Sequence, residues 1–505
     1  MLRRIRLAAA LLCVTLAPSA TAEELVDVRA LRQMIEALRE DNQAMKKEMH
    51  EIRRELDVAK DEARAARDQA DDAAVRSANE LATGEAEPYP SPALWSRRMG
   101  RANVQLLDVS LNVLAAAGGS NANDDELALL QGGGHDPNQR GFTLQQVELS
   151  FLGAVDPYFT GEAHLLYFLD AEGESRFELE EAFATTTRLP FGLEEHGLAL
   201  ELGHFYTEFG RHNPRHPHAW DWQDQPIVNT RFFGGDGMRA PGVRAAWLTP
   251  LPWFAEIHVG VQNAKGETNP SFLANDEVFE ERPIAGRPFA SAGVRGSDDL
   301  VHLLRFVNGF DLGDEFSTQI GFSGLYGPNA TGNDASTWIA GADFVLKWQP
   351  IPSHAGWPFV IFEAEAMYRR YRADDFFGCF GEDGACDPGE TPTFLEDDVF
   401  RDVGGYAQLL WGFRRNWAAG IRGEYATGGG DGFDAESGSF VSHDADPFRS
   451  QRYRISPLLV YHPTEFSRLR LQYNYDRDQS FAGDVAHSIW AGFEFSFGAH
   501  AAHGY

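Results

Sequence analysis

The chain predicts an all-β transmembrane antiparallel barrel of about sixteen strands, preceded by a periplasmic α-helical coiled coil. Three observations predict it. Residues 1–22 have the layout of an export signal, residues 28–73 carry an unbroken 3.5-residue apolar period, and from about 101 that period changes to 2.

The signal comes first. Arg3, Arg4 and Arg6 make a positive start, and Leu7 to Ala17 form an apolar run too short to cross a bilayer as a helix. Ala20-Thr21-Ala22 supplies a small-residue cleavage site. Leu12 stands before Cys13 where a lipoprotein signal needs a small residue, so export is expected without a lipid anchor.

Residues 23–80 read as the coiled coil. Its seam runs through Val28, Leu31, Ile35, Leu38, Asn42, Met45, Met49, Ile52 and Leu56, then Ala59, Ala63, Ala66, Ala70 and Ala73. Asn42 falls at a core position, where a buried amide costs stability but fixes register. The alanine half buries less area and is the weaker one. Such a seam buries nothing alone, so a homo-oligomer is expected, dimer and trimer both open. The other reading is a helix laid on a periplasmic or cell-wall partner. Residues 81–100, with Pro88, Pro90 and Pro92, form an extended linker.

The barrel occupies 101–505. Leu107, Val109, Leu111 and Val113 alternate with Asp108, Ser110 and Asn112. Leu469, Leu471 and Tyr473 alternate with Arg470, Gln472 and Asn474, and Ile489, Ala491, Phe493, Phe495 and Phe497 share one face. The Trp338–Trp348 segment places Phe344 and Leu346 opposite Asp343 and Lys347. Sixteen such segments start near 103 and end near 498. Short turns such as Asp156-Pro157, Pro350-Ile351-Pro352 and Arg415-Asn416 alternate with longer Gly/Asp/Asn-rich loops. An even count returns both barrel ends to the periplasmic side, where the coiled coil must be. The embedding lipid is expected to be that of the Gram-negative outer membrane.

Composition agrees. A mean hydropathy of -0.35 resembles that of a soluble protein, yet a barrel shares it because every second strand residue faces a wet lumen. The net charge of -31 and the five lysines argue against nucleic acid. From position 88 on, 57 acidic and 30 basic residues leave -27, a field that favours cations or merely solvates outer loops. No nucleophile elbow, zinc-protease helix or phosphate-binding glycine loop is present, so no enzyme is expected. Cys379 and Cys386, with six residues between them in an exported Gly/Asp-rich stretch, read as a local disulfide rather than a metal pair.

In this pattern the chain resembles the sixteen-stranded trimeric porins, and more narrowly the phosphate-selective porin (O/P-like) superfamily, some of which carry an N-terminal coiled coil. The resemblance covers roughly 100–505 and rests in detail on Leu202-Gly-His-Phe-Tyr-Thr-Glu-Phe-Gly210, a strand leading into a long third loop. It implies an outer-membrane channel for small solutes and a trimer. It does not carry phosphate selectivity, since Lys265 and Lys347 are the only lysines after the linker.

The third loop, about 209–241, holds the candidate site. In porins this loop dips into the lumen, which makes Arg211, Arg215, Asp221, Asp224, Arg231, Asp236 and Arg239 constriction candidates. His212, His216 and His218 either pack a folded-in loop or ligate Zn²⁺ or Cu²⁺. No other cofactor is expected. His500 and His503 are half a metal site at most, and His164, Glu162, Glu178 and Glu180 fall on lumen faces where polarity needs no specific role.

Overall fold

The computed structural model describes residues 96–99, 102–105 and 107–498, apart from 171–172, 291–293, 352, 354–355, 381–385, 387–390, 482 and 484. The stretches read above as signal segment and coiled coil lie outside the described residues. So do His500 and His503.

Sixteen strands close into one antiparallel barrel. In chain order they are β1 (Leu107–Ser120), β2 (Gly141–Ala154), β3 (Phe159–Leu169), β4 (Ser175–Thr186), β5 (Leu198–Tyr206), β6 (Arg239–Leu248), β7 (Phe254–Asn263) and β8 (Leu300–Asp311). There follow β9 (Phe316–Pro328), β10 (Ser336–Trp348), β11 (Phe359–Ala373), β12 (Asp398–Arg414), β13 (Trp417–Thr427), β14 (Arg452–Thr464), β15 (Ser467–Asp478) and β16 (Val485–Gly498). Each pairs with its neighbours in sequence, and β16 closes onto β1 with Ile489 opposite Gly119 and Phe497 opposite Leu111. Closure leaves no strand edge, which is the condition for a sheet to sit in lipid with every backbone group satisfied.

The period of 2 becomes two faces. Leu469, Leu471 and Tyr473 of β15 are exposed on the outside, while Arg470, Gln472 and Asn474 are buried inside. β16 does the same with Ile489, Phe493 and Phe497 against Trp490 and Glu494. Trp247, Phe254, Phe310, Phe316 and Trp411 lie exposed near one barrel end, and Tyr326, Trp338, Tyr368 and Tyr425 near the other. An apolar exterior of this extent, ringed by aromatics at both ends, belongs in a bilayer. The barrel is transmembrane.

Connections at the end where β1 begins and β16 finishes are mostly short turns, 187–197 and 349–358 being longer. The tightest are Arg415-Asn416 and Glu465-Phe466, and Asn416 takes φ 68. Asparagine tolerates that left-handed conformation better than most residues. The opposite end bears the long loops, including 207–238, 264–299, 374–397 and 428–451. Cys379 and Cys386 form a disulfide there. The first barrel strand starts at Leu107 rather than near 103. Ser96–Met99 and Ala102–Gln105 instead pair as a separate hairpin, and the Leu106-Leu107 doublet between it and β1 breaks the alternation.

The interior departs from a uniformly wet lumen. Phe209, Phe232 and Phe233 of the third loop, with Phe272 and Leu273 of 264–299, pack against Val301, Leu303, Leu325, Ile339 and Met367 on the walls of β8 to β11. These wall positions are apolar because they face a folded-in loop. On the other side of the barrel, α1 (Asp124–Leu130), capped by Asn123 and Glu126, sets Leu127 and Leu130 on Trp490.

Candidate functional site

Beyond Tyr206 the chain turns into the barrel instead of outward. Gly210 takes φ 63, and a Cβ there would collide with the Glu365 carboxylate. Its N–H donates to Ser323 Oγ at 3.1 Å, and the next two N–H groups, of Arg211 and His212, donate to Glu365 Oε2 at 3.3 Å. Arg211 Nε then donates to Glu363 at 2.6 Å, and Arg215 holds the same carboxylate at 3.1 and 3.2 Å. The Tyr406 hydroxyl donates to it as well, at 2.8 Å. Two glutamates on β11, Glu363 and Glu365, therefore fix the loop's first limb.

The loop next swings to β2, β3 and β4. His216 places Nε2 2.8 Å from Glu181 and Nδ1 2.8 Å from Glu180 and 3.4 Å from Glu148. His218 Nδ1 lies 2.6 Å from Glu148 Oε2, and His164 sits between Glu148 and Glu162 at 3.0 Å each. Burial alone would favour a neutral His216, but the carboxylates of Glu180 and Glu148 hold its imidazolium well above the ordinary histidine range. His212 has the opposite environment. Burial, with Arg215 and Arg422 nearby, pushes it down to about 3, and its ring packs 4.8 Å from that of Trp220.

The return limb is seated on β13 to β15. Trp222 Nε1 donates to the Ser456 carbonyl at 2.9 Å. Asp224, fully buried, accepts from Arg422, from Arg454 at 3.1 Å, from Gln472 at 2.8 Å and from Asn474 at 2.7 Å. A buried carboxylate is tolerable only when paired and hydrogen-bonded this fully. Helix α2 (Ile227–Phe233) follows, with the Ile227 N–H donating to Glu424 at 2.7 Å. Arg231 donates to the Ser450 carbonyl at 2.6 Å, and Arg239 ion-pairs with Glu178 beneath Tyr206. The loop thus crosses the lumen and is tied to walls all around it.

The predicted constriction residues therefore fall into two groups. Arg211 and Arg215 remain 23% and 22% exposed, and Asp221 is half-buried in the field of Arg468 and Arg215. Asp224, Arg231 and Arg239 are closed off from water and anchor the loop, while Asp236 lies beside His135 and Glu178. Of the three histidines, His216 and His218 come together and His212 does not. Several water-reachable inward groups sit in the turn-side half, among them Glu162, Glu201, Glu208 and Glu256, together with Arg211, Arg215, His218 and Arg468. Sequence reasoning missed Glu148, Glu181, Glu363 and Glu365 as partners. Their only signal was an inward position on an alternating strand.

Fold and site together define a transmembrane barrel of sixteen strands with an inward-folded third loop. No family model matches the chain. It is similar to an uncharacterized protein of Aquifex aeolicus strain VF5, 28% identical over 431 residues and covering 79% of this chain and 80% of that one. Among solved structures it is similar to the outer membrane channel DcaP of Acinetobacter baumannii, at 12% identity and a TM-score of 0.45, covering 77% of this chain and 96% of that one. It is also similar to an anion-selective porin from Comamonas acidovorans, at 8% identity and a TM-score of 0.42, covering 78% and 98%.

Proposed function

We propose that the chain is an outer-membrane channel for passive passage of small solutes and ions, working as a homo-oligomer and favouring cations. The observation that carries the channel reading is the closed barrel whose exterior is apolar and whose interior is lined by charge, with one loop laid across it. The water-reachable inward groups place both signs of charge at the turn-side face of that loop, a transverse field that orients small polar solutes. The third loop is then the element that sets what passes.

Charge distribution supports the cation preference. The seven long-end loops other than the third hold 29 acidic and 6 basic side chains, against 6 and 2 in the seven turns. An acidic mouth concentrates cations, and salt screens that effect as the Debye length falls from about 10 Å at 0.1 M to about 3 Å at 1 M. The reversal potential across a planar bilayer in a potassium chloride gradient tests it. The expected result is cation selectivity at about 0.1 M that weakens toward 1 M. Anion selectivity at low salt would overturn the preference and turn attention to Arg211 and Arg215.

A further inference from the structure

The channel reading uses only the exposed edge of the histidine–carboxylate cluster that joins the third loop to β2 and β4, and leaves Glu148, Glu180 and His216 without a role. We propose that Glu148, Glu180, His216 and His218 form a binding site for a divalent first-row transition-metal ion of the Zn²⁺ class.

The donor atoms of Glu148, His216 and His218 all lie within 4.8 Å of one another. Glu180 Oε2 adds a fourth, 2.8 Å from His216 Nδ1. Ligands held about 2.0–2.1 Å from a tetrahedral ion stand about 3.3 Å from each other. The spacings here are 2.6 Å for His218–Glu148, 2.8 Å for His216–Glu180 and 3.4 Å for His216–Glu148, which bracket that value. Two carboxylates and two neutral imidazoles also cancel a dication's charge, and this donor set suits Zn²⁺ and its neighbours.

A second observation points the same way. Glu180 Oε2 and His216 Nδ1 are both buried and face each other at 2.8 Å as an ion pair. A dication between them would displace the imidazole proton and take over its role in balancing the carboxylates. The outer contacts that such ligands need are in place. The Tyr206 hydroxyl donates to Glu180 Oε1 at 2.7 Å, and Ser150 Oγ and Gln146 Nε2 donate to Glu148 at 2.9 and 3.2 Å.

The ion has a route in. His216 and His218 keep 14% and 13% of their side-chain surface, and Glu162 beside them is 37% exposed. Both histidines ride on one short turn of the third loop, around Pro217, whereas Glu148 and Glu180 belong to β2 and β4. A bound ion would therefore clamp the loop to the wall. Nothing in this proposal depends on whether the barrel conducts.

The test is Zn²⁺ binding by the full-length folded protein in detergent, stripped with chelator and then dialysed against the metal alone. One tightly held Zn²⁺ per chain is expected, and tetrahedral visible absorption when Co²⁺ replaces it. The double variant His216→Ala/His218→Ala should lose both signals. The near-isosteric Glu180→Gln, a gentler change, should weaken binding by about tenfold or more. His212→Ala, outside the cluster, should bind as the native protein does. Heat-modifiable migration shows which variants have folded. Absence of Zn²⁺ in the native protein, or equal binding by the folded double variant or Glu180→Gln, would overturn the proposal.

Discussion

Asp224 accepts hydrogen bonds from Arg422, Arg454, Gln472 and Asn474 in a place water does not reach. Removing that carboxylate takes one of two charge partners from each of two buried guanidinium groups, leaving Arg422 with Glu424 and Arg454 with Asp476, so the cost stays below the about 3–5 kcal/mol of a buried charge left wholly unpaired. The cost falls on the seating of the third loop, because β13 to β15 keep their backbone ladders. Asp224→Ala should therefore leave a heat-modifiable barrel whose loop is cut by added protease, whereas unchanged resistance within 207–238 would refute the anchoring role. Glu363 holds Arg211 and Arg215 at the water-reachable face. Glu363→Gln should release their positive field and lower the cation preference in reversal-potential measurements at about 0.1 M salt; an unchanged potential would show that those arginines do not border the path. None of these partnerships was legible locally. Asp224 meets residues about 200 to 250 positions away, and no periodicity reports which inward side chain a returning loop will touch.

At the scale of elements, the strands were the readable part. A period of 2 with apolar residues on one face is imposed by lipid outside, so β15 and β16 follow directly from Leu469 to Asn474 and Ile489 to Phe497. The turn-and-loop alternation followed from the same physics. The third loop was legible as unusual, through its prolines, tryptophans and histidines, while its inward fold was expected only from the resemblance to porins and not from any local pattern. A clue lay in β8, where Val301, Leu303 and Val307 are apolar on the inward face as well. An inward face of that kind has to be covered by something other than water. The coiled coil lies outside the described residues and stands on its 3.5-residue seam alone. Deleting residues 25–85 should weaken the oligomer while leaving an insertable barrel, because the seam has no value without a partner helix. Sedimentation in detergent checks this, and an oligomer of undiminished stability would assign assembly to the barrel wall instead.

At the scale of the whole molecule, one arrangement ties these parts together. The apolar exterior fixes the barrel in a membrane, charged side chains line its interior, and the third loop lies across that interior. The acidic long-loop end and the mixed-charge turn-side half give the two mouths different electrostatic characters. The fold class was legible from the sequence because strand parity and alternation are global regularities. The site was legible only as a stretch of chain, because its chemistry is assembled from β2, β4, β11 and β13 to β15 around it. The most direct measurement is single-channel conductance of the purified full-length protein in planar bilayers, native and Asp224→Ala side by side. The native protein should give discrete steps, and the variant larger ones as its loop leaves the lumen. Folded, inserted protein that gives no steps in either form would contradict the channel.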